Sequence, residues 1–173
     1  MSVAIFDDAD EEVLPEIIGE VVTRGENFMR GYYKEPALTE EVSRAGWYHT
    51  GDLGYTDHEG FLYIVDRKKD MIIRGGQNIY PAEIENLLYE HPRVGECAVI
   101  GVPDPILGET AAAIIVPKPQ PLLSAPDLSS FLAGRLAHYK LPVQYHFVQG
   151  LPHNASGKIL KRELRMLARA GTL

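Results

Sequence analysis

The 173-residue chain carries 17 Lys and Arg against 24 Asp and Glu, a net charge of −7, and its 45% apolar content is normal for a packed domain or two small ones. The acidity argues against nucleic acid as a partner, no apolar run approaches the ~20 residues of a membrane span, and Met1–Asp10 lacks the basic start and apolar middle of a signal peptide, so the cytoplasm is the expected compartment. The single cysteine, Cys97, excludes an internal disulfide and a cysteine-rich metal site, and its apolar neighbours predict a packed thiol.

The charge is unevenly spread. Residues 1–66 hold 4 Lys/Arg and 15 Asp/Glu, whereas residues 67–173 hold 13 and 9. The split predicts two bodies, the second basic and suited to phosphorylated small ligands. Val3–Phe6 reads as a strand, Asp7–Glu12 as an acidic turn, and Glu20–Arg24 as a second strand ending at Gly25. Pro36–Ala45 fits a short helix stopped by Gly46, and Leu53–Thr56 and Phe61–Val65 flank the hairpin turn Asp57-His58-Glu59-Gly60. This first third is small, β-rich and acidic. Its abrupt opening predicts the end of a larger domain, with exposed strand edges able to pair with a second copy in a homodimer.

Asp66 to Glu85, DRKKDMIIRGGQNIYPAEIE, is the junction of the chain. Met71-Ile72-Ile73 suits a short strand, and Gly75-Gly76 marks a turn that needs positive φ or lets a ligand pass close to the backbone. Pro81 fits the first position of a helix with Glu83 and Glu85 in its opening turn, Ile84, Leu87 and Leu88 follow at helical spacing, and His91-Pro92 ends the run. Strands are then expected at Glu96–Val102 and Ala111–Pro117, separated by the loop 103–109, with Pro117, Pro119 and Pro121 making a stiff connection. Asp127 is expected to cap a helix running to about His138, with Leu128, Phe131, Leu132 and Leu136 on its buried face. Tyr145–Val148 reads as a third strand. Gly157 is expected to open the final helix, with Leu160, Leu164 and Leu167 in one stripe. The expected fold class is α+β: residues 1–66 as a β-rich remnant of a large N-terminal domain, 67–69 as a hinge, and 70–173 as a small mobile lobe of a three-stranded sheet with helices.

Three places carry candidate chemistry. Lys158 follows the polar loop His153-Asn154-Ala155-Ser156-Gly157 at the expected helix start, where the dipole disfavours a cation by roughly 0.3–1 kcal/mol; it is either a solvated lysine that bears this small cost or one that shares an anion with the helix start. Asp52, in Trp47-Tyr48-His49-Thr50-Gly51-Asp52, is either a turn-capping carboxylate or an acceptor for paired hydroxyls such as those of a ribose. Arg67 and Lys69 either face the same ligand across the hairpin or belong to a solvated charge run. The six histidines show no ligand-like spacing, so no metal site is expected.

Taken together, these pieces resemble the adenylate-forming superfamily of acyl-CoA synthetases, luciferases and peptide-synthetase adenylation domains. The resemblance rests on Gly-Trp-Tyr-His-Thr-Gly-Asp at 46–52, Asp66-Arg67, the run from Gly75 to Glu85, Gly-Val-Pro-Asp at 101–104 with Gly108-Glu109, and Asn-x-x-Gly-Lys at 154–158. It covers nearly the whole chain in the family's order. It implies activation of a carboxylic acid by ATP, with Mg2+, to an acyl-adenylate and pyrophosphate, then transfer of the acyl group to CoA. By resemblance Asp52 holds the ribose hydroxyls, Arg67 also contacts the nucleotide, and Lys69 is both a nucleotide neighbour and the hinge. Lys158 contacts the carboxylate and the α-phosphate, and Gly75 and Gly76 line the pantetheine channel. Ile73 and Asn78 stand where some members have a basic residue, and no role is carried to them. The phosphate loop and acyl pocket of the family have no counterpart in the chain, so the missing N-terminal domain is an implied partner and the fragment alone is expected to be inactive. A fatty-acyl or aryl-acid CoA ligase is the reading favoured by resemblance; an adenylation domain serving a carrier-protein thiol, or a non-catalytic module binding nucleotide or CoA, are the alternatives.

Overall fold

The computed structural model describes residues 1–119 and 122–173, which divide into two units, Met1–Lys69 and Asp70–Leu173. The first unit is built on one antiparallel sheet. β1 (Ser2–Phe6) pairs with β2 (Gly19–Arg24), which pairs in turn with the long β4 (Trp47–Thr56). The other edge of β4 is taken first by the two-residue β3 (Ser43–Arg44) and then by β5 (Leu62–Arg67). Ala4, Phe6 and Val22 are buried together with Trp47 against them, and the Phe6 and Trp47 rings meet edge-on at 5.3 Å. Asp57 shapes the β4–β5 turn, accepting the N–H groups of Glu59 and Phe61 through Oδ1. The helix expected over Pro36–Ala45 is shorter: α1 is Pro36–Val42, and Ser43 and Arg44 are drawn into pairing with β4.

The second unit is organised on two long apolar strands, β8 (Val94–Asp104) and β9 (Gly108–Pro117), paired over their whole length. Alternate side chains point to opposite faces. Cys97, Val99, Ala111, Ala113 and Ile115 bury one face against Ile84 and Leu88 of α2 (Pro81–Glu90) and Leu128 and Leu132 of α3 (Ala125–Leu132). Ala98, Ile100, Val102, Ala112 and Ile114 bury the other against Leu151 and against Leu164 of α4 (Lys161–Arg169). Cover on both faces explains why the two strands read as nearly continuous apolar runs. Burial pushes the Cys97 thiol, beside the Glu85 carboxylate, up to about 12.

Among the described residues the sheet has five strands where three were expected. β10 (Gln144–Phe147) runs parallel to β9, and β6 (Ile72–Arg74) reaches β9 at Gly108 and forms a tight hairpin with β7 (Gln77–Ile79). Both residues of the connecting turn, Gly75 and Gly76, have positive φ, +55° and +81°, which glycine adopts without steric cost.

Other boundaries moved for local reasons. Ser124, not Asp127, caps α3: the two form a reciprocal capping box, with Asp127 at the third helical position. That helix ends at Leu132, because the backbone turns extended at Ala133 before Gly134, and Ala133 bridges Leu136. Pro117 closes β9, where a missing N–H is tolerated, while Pro121 of the expected stiff connection lies outside the described residues. In α4, Leu164 is buried but Leu167 is exposed, so the expected stripe is partial. Among the described residues no helix is long and apolar enough to cross a membrane.

Candidate functional site

In the first unit, Asp52 and Arg67 are direct cross-strand neighbours on β4 and β5, with Arg67 Nε 3.3 Å from Asp52 Oδ1. Arg67 of this pair lines an open cavity of about 370 Å³ together with Thr50, Gly51, Lys68 and Lys69. The backbone turns sharply here. Gly51 has φ +75°, and both ladders that flank this stretch are irregular, with register shifts between Glu20 and Val22 on β2 and between Leu53 and Gly54 on β4. Thr50 steadies the corner, donating its hydroxyl to the Val21 carbonyl at 2.7 Å and accepting the Asp52 N–H at 3.1 Å.

Beneath the corner is a polar cluster that sequence reasoning missed. Glu20 is 7% exposed and His49 6%, among the few buried polar side chains described. Glu20 Oε1 accepts the Gly51 N–H at 3.1 Å, and Oε2 accepts the Lys68 ammonium at 3.2 Å and lies 3.2 Å from His49 Nδ1. Lys68 also pairs with Asp8 at 2.9 Å, and Arg44 pairs with Asp10 close to His49. Burial pushes the Glu20 carboxyl upward, but the hydrogen bonds from His49, Lys68 and the Gly51 N–H outweigh it, and the net direction is below the ordinary glutamate value. Burial likewise pushes the Lys68 ammonium down, and Asp8 and Glu20 more than reverse this. A signal for Glu20 was present: it lies two residues from the fully buried Val22 on a strand, so the period of two places it inward.

In the second unit, Lys158 is exposed on the loop 153–159, and it is not at a helix start. His153 bridges Ile159, Asn154 N–H donates to the Lys158 carbonyl at 2.9 Å, and Leu160 N–H is taken by Pro152. With these groups committed to a hairpin-like loop, helical bonding waits until Lys161. Lys158 therefore precedes the N-terminus of α4 and does not sit in its first turn. Asn154 instead sets the loop, its Oδ1 accepting from Ser156 N–H, Ser156 Oγ and Lys158 N–H at 2.8–3.0 Å. No carboxylate among the described residues pairs with the Lys158 ammonium.

Ion pairs fix the frame that carries this loop. Lys161, at the start of α4, meets Glu85 of α2 at 2.7 Å, and the same carboxylate takes the Val99 N–H at 2.6 Å. Lys140 binds both oxygens of Glu83 at 2.6 and 2.9 Å. Arg165 pairs with Asp70 at 2.6 Å, tying α4 to the first residue of the unit. Gly75 and Gly76 form the exposed β6–β7 turn, anchored where Gly75 N–H donates to the Leu107 carbonyl at 2.8 Å.

A small α+β unit with this loop and turn, following a β-rich unit with a carboxylate–guanidinium corner, defines a class. Residues 83–158 match the AMP-binding enzyme C-terminal domain, and nearly the whole chain is similar to the carboxy-terminal third of AMP-forming acid–CoA ligases. It is 50% identical over 155 residues to a feruloyl-CoA synthase of Amycolatopsis sp, spanning 90% of this chain and 32% of that protein, and 48% identical over 158 residues to a long-chain-fatty-acid–CoA ligase of Bacillus subtilis, spanning 91% and 28%. The o-succinylbenzoate CoA synthetase of Bacillus subtilis, solved with its acyl-adenylate intermediate, superimposes with a TM-score of 0.88 at 40% identity, covering 95% of this chain and 33% of that one. The same enzyme has also been solved with ATP and a magnesium ion. The chain thus spans about a third of the length of the relatives it matches.

Proposed function

We propose that this chain works as the carboxy-terminal part of a carboxylic acid–CoA ligase, acting with a larger preceding domain that holds the acid and the triphosphate. The observation that carries the reading is the Asp52–Arg67 corner beside its cavity. A carboxylate accepts two vicinal hydroxyls well, and Arg67, already beside it, adds positive charge facing the nucleotide. ATP enters with Mg2+, and a carboxylate oxygen of the acid attacks the α-phosphorus while pyrophosphate leaves. The Lys158 ammonium, unpaired in its own unit, stabilises the charge that develops on the reacting carboxylate and α-phosphate. Lys69, the last residue of the first unit, is the pivot about which the second unit turns. After the turn the left-handed Gly75-Gly76 backbone lines the path of the pantetheine arm, whose sulfur attacks the acyl carbonyl and displaces AMP. Fatty and aryl acids are the proposed substrates.

The test is an assay of the full-length enzyme carrying this chain with ATP, CoA and a panel of fatty and aryl acids. Acid-dependent release of pyrophosphate and formation of the matching acyl-CoA are expected, and the isolated chain should release none. Failure of every acid to yield an acyl-CoA, or pyrophosphate release by the isolated chain, would sink the reading.

A further inference from the structure

Glu20 is a charged side chain among buried neighbours on β2, with Gly19 before it and Val21 and Val22 after it. A carboxylate in such a place is costly unless its lone pairs are filled. Here they are filled from two directions that matter. Oε1 takes the backbone of Gly51, the residue before Asp52, and Oε2 takes the side chain of Lys68, the residue after Arg67. The regular ladders around that spot are interrupted, although Asp52 still pairs with Arg67. The β2–β4 ladder slips between Glu20 and Val22, and the β4–β5 ladder slips between Leu53 and Gly54, so bulges interrupt both edges of the segment that presents Asp52. Two of the five residues lining the cavity, Gly51 and Lys68, are held by this carboxylate, and the other three, Thr50, Arg67 and Lys69, each adjoin one of them. His49 fixes its remaining side.

We propose that Glu20 is a positioning residue for the nucleotide's hydroxyl site: through Gly51 and Lys68 it sets the separation of Asp52 and Arg67, and so acts on the ribose without touching it. The inference rests on the reading of Asp52 and Arg67 given above. Its signature is selectivity. A side chain that works through the hydroxyl grip matters only to a nucleotide that has the hydroxyls, whereas one that merely supports the fold matters equally to every nucleotide.

The experiment compares ATP with 2′,3′-dideoxy-ATP in the full-length enzyme, in the wild type and in Glu20→Gln. Glutamine keeps an oxygen for the Gly51 N–H and loses the charge that holds Lys68. Expected are a KM for ATP raised about tenfold with kcat within about threefold, the pattern of lost binding rather than lost chemistry, and a KM for dideoxy-ATP within about twofold of the wild type. Lys68→Gln, at a more exposed position, should show a smaller loss of the same selective kind, and it carries the test alone if Glu20→Gln yields no folded protein. An equal rise for both nucleotides, or no rise in either variant, overturns the proposal while leaving the ligase reading intact. A wild type indifferent to the missing hydroxyls overturns the hydroxyl site, and this proposal with it.

Discussion

Asp52 is carried on a strand that pairs with β5 at Arg67 and is tied from below by a buried carboxylate, whereas Lys158 is carried on an exposed loop whose shape depends on one asparagine side chain. The two differ in what surrounds the charge as well as in what holds the backbone. Asp52 already faces Arg67, while the Lys158 ammonium has no carboxylate partner among the described residues. A group that must keep hold of a ligand through a whole cycle needs a rigid seat. One that serves a single step needs reach, and loops on a rigid frame supply it.

Four substitutions or conditions probe that contrast. Lys158→Ala should cost most, lowering adenylate formation about 10²–10³-fold while leaving acyl transfer from preformed adenylate largely intact; pyrophosphate exchange and thioester formation, measured separately, check it. Equal loss of both half-reactions would remove the contrast. Asn154→Ala should loosen the loop without loosening the unit, with adenylation down about tenfold and stability changed by less than about 1 kcal/mol in urea unfolding.

The seat of Asp52 should respond to acid. Because the folded Glu20 carboxyl lies below its ordinary value of 4.5, its contribution is fully present above that pH and is lost as pH falls through the folded value. The single tryptophan, Trp47 on β4, reports on this unit. Its urea midpoint should drop between pH 7 and pH 3.5, and should drop less in Glu20→Gln; parallel behaviour of the two proteins would detach Glu20 from the seat. Smallest of all should be the effect of Arg67→Ala on stability, within about 0.5 kcal/mol in the same unfolding experiment, since both partners of that ion pair are open to solvent. A larger loss would mean that the Asp52–Arg67 pair holds the corner rather than presenting it.

The parts of this architecture written in local sequence were legible. Pro81 with Ile84 and Leu88 marked α2, Asp57 to Gly60 marked the hairpin, and the glycine pair at 75–76 marked a left-handed turn. The superfamily was legible from the order of short motifs spread over the chain. What local patterning missed was set by partners distant in sequence. β4 extends back to Trp47 through Gly51 and Asp52, residues that argue for a turn, because β2 and β3 bond it from both sides. Lys158 was placed on a helix because Gly157 and the leucines after it fit one, while the bonds of Asn154 and Pro152 delay that helix. Glu20 and Lys68 lie 48 residues apart, and nothing near either one reveals the other.

The ion pair between Asp70 and Arg165 brings the entrance and exit of the second unit together, since one belongs to its first residue and the other to its last helix. A body clasped near its two ends in this way is suited to circular permutation. Joining those ends through a short linker and reopening the unit at another exposed turn would leave its sheet threaded as before.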